Sequence, residues 1–238
     1  MKQSWSVIVF CFNEAGTIEE LVDRVVDFFE VHRNGLYEVI IVDDGSTDGS
    51  YEKIREAAQK HQKTVRTIRH EKNLGIGEAL RDGYAAARNE NVTAIPADAQ
   101  FDIYELLPYL DIEPGTFISF YRQENVEYSS FRTTLSAVNK CINKVFNGIA
   151  LKDVNWVKIY KRAAITAFPW KLHSSLIESE ICAKLLLTHN RVIEVLSCYH
   201  VRKAGTSKGA SPRIIVQALR ETPKLIFAVH TFRKPLKA

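Results

Sequence analysis

YEVIIVDDGS, residues 37–46, joins an apolar run to two acids, a glycine and a serine. A continuous apolar run bounded by turn residues is typical of a strand that is buried on both faces. Ser6–Phe12 has the same character, and two further strands are predicted at Thr64–Arg69 and Val92–Pro96. Because helical spacing fills the intervals between these strands, the order predicts a doubly wound, mostly parallel α/β sheet flanked by helices.

The remaining elements are predicted from the same periodicities. Helices are expected between the first four strands, at Thr17–His32, Ser50–His61 and Ile76–Arg88. The second half is less regular, with strands predicted at Thr116–Tyr121, Arg191–Leu196 and Ser197–Val201 and helices at Phe131–Gly148, Ser175–Thr188 and Arg213–Phe232. Pro223 is expected to kink the last helix or split it in two. No repeat or Gly/Ser-rich linker divides the chain, which predicts one domain over residues 1–238.

The composition is that of a globular protein, with 46% apolar and 25% charged residues among 238. No apolar run approaches the ~18 residues of a spanning helix and no export signal is recognisable, so a cytoplasmic protein is expected. The net charge of +4 is unevenly distributed. From Arg202 onward nine Lys or Arg accompany a single acid, Glu221, whereas residues 1–201 carry a net charge of −4. Such a tail is typical of a solvated surface or of one that meets an anionic partner.

Four polar clusters follow the predicted strands of the first half. They are Asn13-Glu14, Asp43-Asp44, Asn73 through Gly77, and Asp98-Ala99-Gln100. Ligands of parallel sheets bind beyond the carboxyl ends of the strands, so the clusters are expected to converge on one rim. Turn chemistry alone also explains each cluster, because Asn, Asp, Gly and Ser favour turns. At a rim, however, two adjacent carboxylates suit hydrogen bonds to a base or a ribose.

Asp98 and Gln100 are predicted to form a metal site. In extended backbone, residues two apart point to the same side, so a carboxylate and an amide oxygen would face one point. Hard oxygen ligands of this kind suit Mg²⁺ or Mn²⁺, with phosphate oxygens completing the coordination. The alternative is an exposed loop acid without a ligand. No Gly-Lys-Ser phosphate loop is present, which disfavours phosphoryl transfer from ATP.

The clusters together resemble the successive motifs of family-two glycosyltransferases with the GT-A fold. The matching stretches are Phe12-Asn13-Glu14, Ile41 through Asp48, Asn73-x-Gly75, and Ala97 through Asp102. The resemblance implies that a nucleotide sugar is held by Phe12, Asn13, Glu14, Asp43, Asp44, Gly75 and Asp98, and that Asp98 with Gln100 binds the divalent metal on its diphosphate. Residues 1–125 would form a nucleotide-sugar-binding half, 126–210 an acceptor-side half, and 211–238 a basic amphipathic tail.

The second half is similar to polyprenyl-phosphate glycosyltransferases such as dolichyl-phosphate mannosyltransferase. Arg122 occupies the place of the arginine in their Gly-Ser-Arg stretch, and the further matches are Arg132-x-x-x-Ser136-x-x-Asn139, Glu178-x-Glu180 and Arg202-x-x-Gly205-x-Ser207-Lys208. The resemblance implies three groups of site residues: Arg122, Arg132 and Ser136 for the acceptor phosphate, Arg202 and Lys208 for the leaving diphosphate, and Asp153 and Glu178 as sugar contacts or as bases for a hydroxyl acceptor. The alternatives are a helix surface for the two glutamates and a solvated loop for Arg202 and Lys208.

Three positions depart from the family's pattern. Pro96 stands where the Asp-x-Asp motif begins with an acid, which removes one carboxylate near the metal. The acceptor-side motif reads Asp153-Val154-Asn155-Trp156-Val157. A Trp in place of a Gly fills space there, so the sugar or acceptor pocket is expected to differ. Phe10 replaces a proline of the first motif and is expected to be a core change.

The resemblance implies inverting transfer of a sugar from a GDP- or UDP-linked donor to a polyprenyl phosphate. A phosphomonoester is already largely dianionic at neutral pH, so it needs cations to hold it and no base. The arginines of the predicted rim therefore favour a phosphate acceptor. Two alternatives remain: a glycosyltransferase for a hydroxyl of a soluble or glycan acceptor, and a non-enzymatic nucleotide-sugar-binding module. Nucleic acid is not an expected partner, and a homodimer is one expected assembly.

The basic tail carries an apolar stripe. Apolar residues recur there at helical intervals, at Ile214, Ile215, Ala218, Leu219, Leu225, Ile226 and Val229. An apolar face flanked by basic residues predicts a helix that lies on the anionic inner face of a membrane. The same stripe equally predicts packing on the protein's own sheet or on a second subunit.

Overall fold

The fold was analysed in a computed structural model, which describes residues 2–122, 144, 148–198, 200 and 212–233, with the side chains of 216–232 in the last segment. The strands of its sheet are β1 (Trp5–Cys11), β2 (Tyr37–Asp43), β3 (Val65–Arg69), β4 (Asn91–Pro96), β5 (Thr116–Arg122), β6 (Lys158–Lys161) and β7 (Arg191–Ser197). The helices are α1 (Ile18–Arg33), α2 (Ser50–Lys60), α3 (Ile76–Ala86), α4 (Arg162–Thr166), α5 (Ile177–Leu187) and α6 (Pro212–Arg233), and a 3₁₀ helix covers Ile103–Tyr109.

The strands form one sheet in the order β3-β2-β1-β4-β6-β5-β7. β1 pairs in parallel with β2 and β4, β2 pairs in parallel with β3, and β5 pairs in parallel with β7. β6 runs antiparallel to both of its neighbours, β4 and β5. The predicted mostly parallel α/β sheet is therefore confirmed, with one reversed strand and with both halves of the chain contributing to it.

Two apolar layers cover the sheet. One layer contains the inward residues of α1 and α2 and of the 3₁₀ helix, packed around Trp5, Phe28 and Phe29. The other contains those of α3, α5 and α6, packed around Tyr84 and Tyr160. Helices lie on both faces because the inner strands are apolar on both sides, as β1 and β2 are almost continuously buried.

Several predictions about local structure are wrong. The described residues of the predicted strand Ser197–Val201 do not form a strand of their own: Ser197 ends β7, and Cys198 and His200 lie beyond it in irregular backbone. The short β6, α4 and the 3₁₀ helix were not predicted. β6 has only four residues, two of them lysines, so its strand conformation depends on pairing with β4 and β5 and not on a local pattern.

Helix α6 is not split at Pro223, since it runs unbroken over Pro212–Arg233. The buried residues Glu221 and Leu225, one on each side of the proline, both hold the helix on the same inner surface. Leu225, Ala228 and Val229 belong to the protein's own core, which confirms that part of the predicted stripe packs internally. No helix among the residues described has the length and apolarity needed to cross a bilayer.

Candidate functional site

Six of the strands end at one edge of the sheet, and the seventh begins there. β1, β2, β3 and β4 are parallel, and β5 and β7 run in the same direction because β6 is antiparallel to both β4 and β5. The edge, called the rim below, therefore carries the segments that follow Cys11, Asp43, Arg69, Pro96, Arg122 and Ser197, together with the segment that precedes Lys158. The predicted convergence of the four polar clusters on one rim is thus observed.

The loops after β1 and β2 are joined by hydrogen bonds. Asn13 accepts the N–H of Thr47 at 2.7 Å, and its own N–H donates to the hydroxyl of Ser46 at 2.9 Å. Glu14, which is buried, donates its N–H to the hydroxyl of Ser50 at 2.8 Å. Asn13 adopts a left-handed φ of 54°, a conformation that is uncommon outside glycine and is found at ligand sites. These contacts fix the Phe12-Asn13-Glu14 motif against the start of α2.

Asp43 ends β2 and has one carboxylate oxygen without a hydrogen bond among the described residues. Its side chain is fully buried, and Oδ1 accepts the N–H of Ser46 at 3.2 Å. Oδ2 has no hydrogen-bond partner among the described residues and lies 3.6 Å from Nε of Arg69. The Arg69 guanidinium stacks 3.6 Å from the ring centroid of Tyr51. A buried carboxylate oxygen without a hydrogen bond is costly, so a donor on a bound ligand would relieve a standing penalty.

Asp44 holds the loop that follows β3. Its Oδ1 accepts the N–H of Leu74 at 2.8 Å and its Oδ2 that of Gly75 at 2.9 Å. Nδ1 of His70 lies 2.7 Å from Asp44, and Nε2 of His70 lies 3.0 Å from Asp82. Burial on its own would lower the pKa of His70, but the hydrogen bonds to the two carboxylates outweigh it and raise this pKa above the usual value. Asp44 therefore fixes the backbone of the loop before α3 at Leu74 and Gly75.

Gly75 precedes α3 with a φ of +104°, a conformation that glycine adopts without strain. Nothing lies within 3.4 Å of the position that a Cβ would take there, and the nearest atom is Oε1 of Gln217 on α6 at 3.6 Å. At Gly77, by contrast, a Cβ would collide with the backbone of His173 and Ser174. The Asn73–Gly77 loop is thus packed on one side against the segment before α5, and Gly75 keeps its backbone approachable.

The Asp98–Gln100 segment is a turn, so the expectation of extended backbone there is wrong. Ala99 takes a left-handed φ of 56°, and Oδ1 of Asp98 accepts the N–H of Gln100 at 3.1 Å. The side chains of Asp98 and Gln100 do not follow the alternation of a strand, because β4 ends at Pro96 and the backbone turns over residues 97–99. One carboxylate and one amide still stand together at the rim. This donor set fits Mg²⁺ or Mn²⁺, which proteins commonly hold with one or two carboxylates while phosphates and waters supply the remaining ligands. No cluster of three His, Cys, Asp or Glu able to hold a metal is present in the described part of the chain.

The segment after β7 lies on this turn. The N–H of His200 donates to the carbonyl of Gln100 at 3.1 Å, and Nε2 of Gln100 donates to the carbonyl of His200 at 3.3 Å. His200 stands two residues before Arg202. Arg202 and Lys208, like Arg132 and Ser136, lie outside the described residues.

Arg122 is held between an acid and an aromatic ring. Its Nε–H donates to Oδ2 of Asp153 at 2.8 Å, and its guanidinium carbon lies 4.5 Å from the ring centroid of Trp156. Arg122 ends β5, whereas Asp153 and Trp156 come from the segment before β6. The structure therefore brings two predicted site residues, Arg122 and Asp153, into one ion pair at the rim.

Glu178 and Glu180 lie in the interior, so the alternative of a helix surface is wrong for both. Glu178 accepts hydrogen bonds from the hydroxyls of Tyr84 and Tyr160 at 2.6 Å each. Burial and the nearby Glu178 carboxylate raise the pKa values of both tyrosines well above normal. Glu180 is fully buried and accepts the backbone N–H groups of Lys171 and Leu172, while Lys184 donates to it at 2.6 Å. Helix α5 is buried all round, which explains why glutamates there point into the core.

Lys158 links Glu178 to the rim, and sequence reasoning missed it. It is buried, its Nζ lies 3.7 Å from Glu178, and it donates to the carbonyls of Val154 and Trp156 at 2.5 and 2.8 Å. The ammonium thus ties down the backbone of the segment that carries Asp153 and Trp156. His70 was missed as well. The sequence did offer a signal for His70: it directly follows a predicted strand, at the same rim that was expected to carry Asp43 and Asp44.

Comparison with known proteins places this geometry among sugar transferases. Residues 6–164, more than half of the chain, match the family model described as Glycosyl transferase family 2. The chain is 30% identical over 165 residues to the undecaprenyl-phosphate 4-deoxy-4-formamido-L-arabinose transferase of Aeromonas hydrophila, which covers 68% of this chain and 50% of that protein. For the protein of the same name from Proteus mirabilis the identity is 29% over 214 residues, covering 88% and 64%. The chain thus spans between half and two thirds of the length of these relatives.

Solved structures share the fold at lower identity. Mannosyl-3-phosphoglycerate synthase from Rubrobacter xylanophilus superposes with a TM-score of 0.69 at 17% identity, covering 96% of this chain and 75% of that one. A mannosyltransferase from Pyrobaculum calidifontis, solved in complex with GDP-Man and Mn²⁺, has a TM-score of 0.61 at 18% identity, covering 98% and 74%. Glucosyl-3-phosphoglycerate synthase from Mycobacterium tuberculosis, solved with Mn²⁺ and UDP, also has a TM-score of 0.61 at 18% identity, covering 97% and 80%.

Proposed function

The chain belongs to glycosyl transferase family 2, and we propose that it transfers a sugar from a nucleotide-diphosphate sugar to a polyprenyl phosphate, with inversion at the anomeric carbon. The names of the two relatives, both undecaprenyl-phosphate sugar transferases, support this acceptor. The observation that carries the proposal is the placement of Arg122, whose guanidinium stands on the same rim as the carboxylates of Asp43 and Asp98.

The donor nucleoside would be held at the ends of β1 and β2. Oδ2 of Asp43, which has no hydrogen-bond partner among the described residues, offers an acceptor for an N–H or O–H of the base or ribose. Phe12, Asn13 and Glu14 flank it on the loop that is tied to Ser46 and Thr47. Gly75, whose conformation is set by Asp44, would allow the nucleotide to approach the backbone.

Asp98 and Gln100 would hold Mg²⁺ or Mn²⁺ together with the diphosphate. When bound, such a cation supplies Lewis-acid stabilisation of the charge that develops on the leaving nucleotide diphosphate. Two structural neighbours crystallised with Mn²⁺ support a divalent metal for this fold. Pro96 leaves the site with one carboxylate fewer than the family's Asp-x-Asp motif, so we expect weak metal affinity in the absence of the diphosphate.

The acceptor phosphate would be held by Arg122, with Arg132 and Ser136 contributing from the helix that the family resemblance implies. A guanidinium matches the geometry of phosphate oxygens and keeps its charge at any working pH. The phosphate oxygen attacks the anomeric carbon, the bond from that carbon to the diphosphate breaks, and no proton has to move. A single displacement of this kind inverts the anomeric centre.

A hydroxyl acceptor is less well supported, because it would need a general base. Asp153 is one of the two predicted bases, and its carboxylate accepts a hydrogen bond from Arg122 at 2.8 Å. Glu178 lies below the rim with both oxygens engaged by tyrosine hydroxyls. Because both carboxylates already accept hydrogen bonds from protein groups, neither is well placed to act as a general base for a hydroxyl acceptor.

Transfer of radiolabelled sugar from UDP- and GDP-sugars into the organic phase, with and without undecaprenyl phosphate, tests the proposal. We expect transfer that requires both the acceptor and a divalent cation, and loss of transfer in Arg122→Ala. Arg55→Ala, on the exposed face of α2, is the matched control. Donor hydrolysis without transfer to the lipid would favour another acceptor, and donor binding without turnover of any kind would favour a binding module.

We also propose that the outer face of α6 meets an anionic membrane surface, which holds the acceptor. Val216, Leu219 and Phe227 are exposed on α6, at 45%, 59% and 70%, while the inner stripe packs on the core. Arg220 and Lys224 are exposed on the same helix. Apolar side chains between basic ones match the headgroup region of an anionic bilayer. The proposed homodimer stays a prediction.

Vesicle sedimentation tests this surface. Binding to vesicles that contain anionic phosphatidylglycerol is expected to weaken with salt and to be reduced in Leu219→Gln and Phe227→Gln. Both positions are exposed, so neither variant should unfold. Val31→Gln, 75% exposed on α1, provides the control with the same loss of apolar surface elsewhere. Equal binding by all variants would overturn the assignment of α6.

A further inference from the structure

Trp156 is fixed in the structure from three sides. Its indole N–H donates to the hydroxyl of Ser197 at 3.0 Å, and that hydroxyl donates in turn to Glu105 at 3.1 Å. The ring packs edge-to-face on Phe101 with centroids 6.1 Å apart. Lys158 donates to the carbonyl of Trp156 at 2.8 Å. The contacts with Ser197 and Phe101 restrain the side chain of Trp156, and the contact with Lys158 restrains its backbone.

The chain of hydrogen bonds has one direction. An indole N–H can only donate, so the Ser197 oxygen must accept from Trp156 and use its single proton on Glu105. Burial raises the pKa of Glu105 above its usual value, while Ser197 lowers it by donating to the carboxylate. Ser197 ends β7 and lies in register with Arg122 at the end of β5. Ser197, which accepts the indole N–H, and Arg122, whose guanidinium lies near the indole, are therefore paired residues on neighbouring strands.

Two contacts with described residues of the segment before β6 hold the guanidinium of Arg122. Asp153 accepts its Nε–H, which lies in the guanidinium plane, and the guanidinium carbon lies over the Trp156 ring, 4.5 Å from the ring centroid. One in-plane hydrogen bond fixes the position of the group but leaves rotation about that bond. An aromatic ring beneath the guanidinium restricts this rotation, and cation–π attraction is strongest for Trp.

We propose that Trp156 is a positioning residue that orients the Arg122 guanidinium for an acceptor phosphate. The inference rests on the proposed function, since it needs a phosphate as the acceptor. In this role Trp156 acts through Arg122 and not on the reacting atoms themselves. Its effect is to remove beforehand the side-chain freedom that Arg122 would otherwise lose on binding the phosphate. The expected signature is a change in acceptor affinity with donor affinity unchanged.

Farnesyl phosphate, a short and soluble polyprenyl phosphate, serves as the probe in titration calorimetry with the full chain. Trp156→Leu removes the aromatic face, and we expect the Kd for farnesyl phosphate to rise about two- to thirtyfold, the range of a cation–π contact. Trp156→Phe keeps a ring against the guanidinium and should restore most of the affinity. Ser197→Ala leaves the indole in place without its acceptor, and a rise of about two- to tenfold is expected for one lost hydrogen bond.

Two controls separate positioning from general loss of stability. Trp170→Leu removes a comparable ring that packs on Tyr84 in the other apolar layer, and it should leave the Kd unchanged. The Kd for UDP or GDP should be the same in all variants, and the KM for the acceptor should change more than kcat. If Trp156→Leu fails to fold, Ser197→Ala decides the question by itself.

The outcomes distinguish this inference from the proposed function. Wild-type protein that binds farnesyl phosphate, with Ser197→Ala and any folded Trp156→Leu binding it equally well, would overturn the positioning role and leave the proposed function intact. Wild-type protein that binds no farnesyl phosphate would overturn the proposed acceptor and this inference with it. Loss of donor and acceptor affinity together in Trp156→Leu would show that the ring is structural only.

Discussion

Nδ1 of His70 lies 2.7 Å from Oδ1 of Asp44, and the other ring nitrogen lies 3.0 Å from Asp82. Asp44 also receives the N–H groups of Leu74 and Gly75, so one buried carboxylate joins the end of β2 to the loop before α3. A histidine at the edge of the sheet thereby supports the loop for which we propose contact with the nucleotide.

The stability of the protein should depend on pH through His70. The pKa of His70 is raised in the folded state, so its protonated form contributes stability that is fully present below the unfolded value of about 6.5 and is lost as pH rises through the folded value. The difference in free energy of unfolding between wild type and His70→Gln is expected to be larger at pH 5.5 than at pH 9. Urea unfolding at the two pH values measures it. His230→Gln, at an exposed position on α6, is the control, and a difference independent of pH would contradict the assignment.

Asp43→Asn should weaken nucleotide binding. Oδ2 of Asp43, which has no hydrogen bond among the described residues, is the acceptor offered at the end of β2, and loss of a hydrogen bond to a charged group costs about 1.5–3 kcal/mol, or roughly ten- to a hundredfold in Kd. Calorimetric titration with UDP and with GDP measures the change and shows which base is preferred. Asp27→Asn, exposed on α1, should bind like wild type. Unchanged affinity in Asp43→Asn would place the nucleoside elsewhere.

Removal of the divalent cation and Asp98→Asn should have the same effect. We expect either change to abolish sugar transfer, because the leaving diphosphate would lose its counter-charge. Thermal unfolding should change little, since Asp98 lies in a rim turn and not in an apolar layer. Transfer assays with EDTA, and with Mn²⁺ added back, provide the measurement. Full activity of both Asp98→Asn and EDTA-treated wild type would rule out this metal site.

Lys158→Met should destabilise the fold and disturb the acceptor side. Loss of one partner from a buried ion pair costs about 3–5 kcal/mol, and here it also releases the carbonyls of Val154 and Trp156. Chemical unfolding should show this loss, and the double variant Lys158→Met with Glu178→Gln should regain part of it because no buried charge is left unpaired. Lys60→Met, which removes an exposed lysine from α2, should be nearly neutral. A stability equal to wild type would contradict a stabilising role for the contact between Lys158 and Glu178.

Arg202→Ala should slow sugar transfer roughly ten- to a hundredfold if Arg202 contacts the leaving diphosphate. This prediction rests on the family resemblance and on His200, which lies two residues before Arg202 and whose backbone is hydrogen-bonded to Gln100. Steady-state transfer rates at saturating donor provide the measurement. Lys203→Ala is the neighbouring control, and equal rates for wild type and Arg202→Ala would remove this residue from the mechanism.

The sequence alone determined the first four strands, the helices between them and the polar clusters at the strand ends. Each of these is a local signal: an apolar run such as Val39–Val42, an acidic pair directly after it, a glycine before a helix. Because the strands are parallel, the order along the chain already implied that the clusters share one rim. The positions of Asp43 and Asp98 at this rim could thus be predicted without coordinates.

The tertiary structure alone decided the part of the rim for which we propose acceptor binding. β6 becomes a strand only because β4 and β5 pair with it, and its reversed direction brings Asp153 and Trp156 to the rim. Trp156 reaches Ser197 across 41 positions of the chain, and Glu178 becomes an interior acid because Tyr84 lies 94 positions away and Tyr160 lies 18. Burial and hydrogen-bond partners are properties of the packed chain, and no local periodicity encodes contacts over such separations.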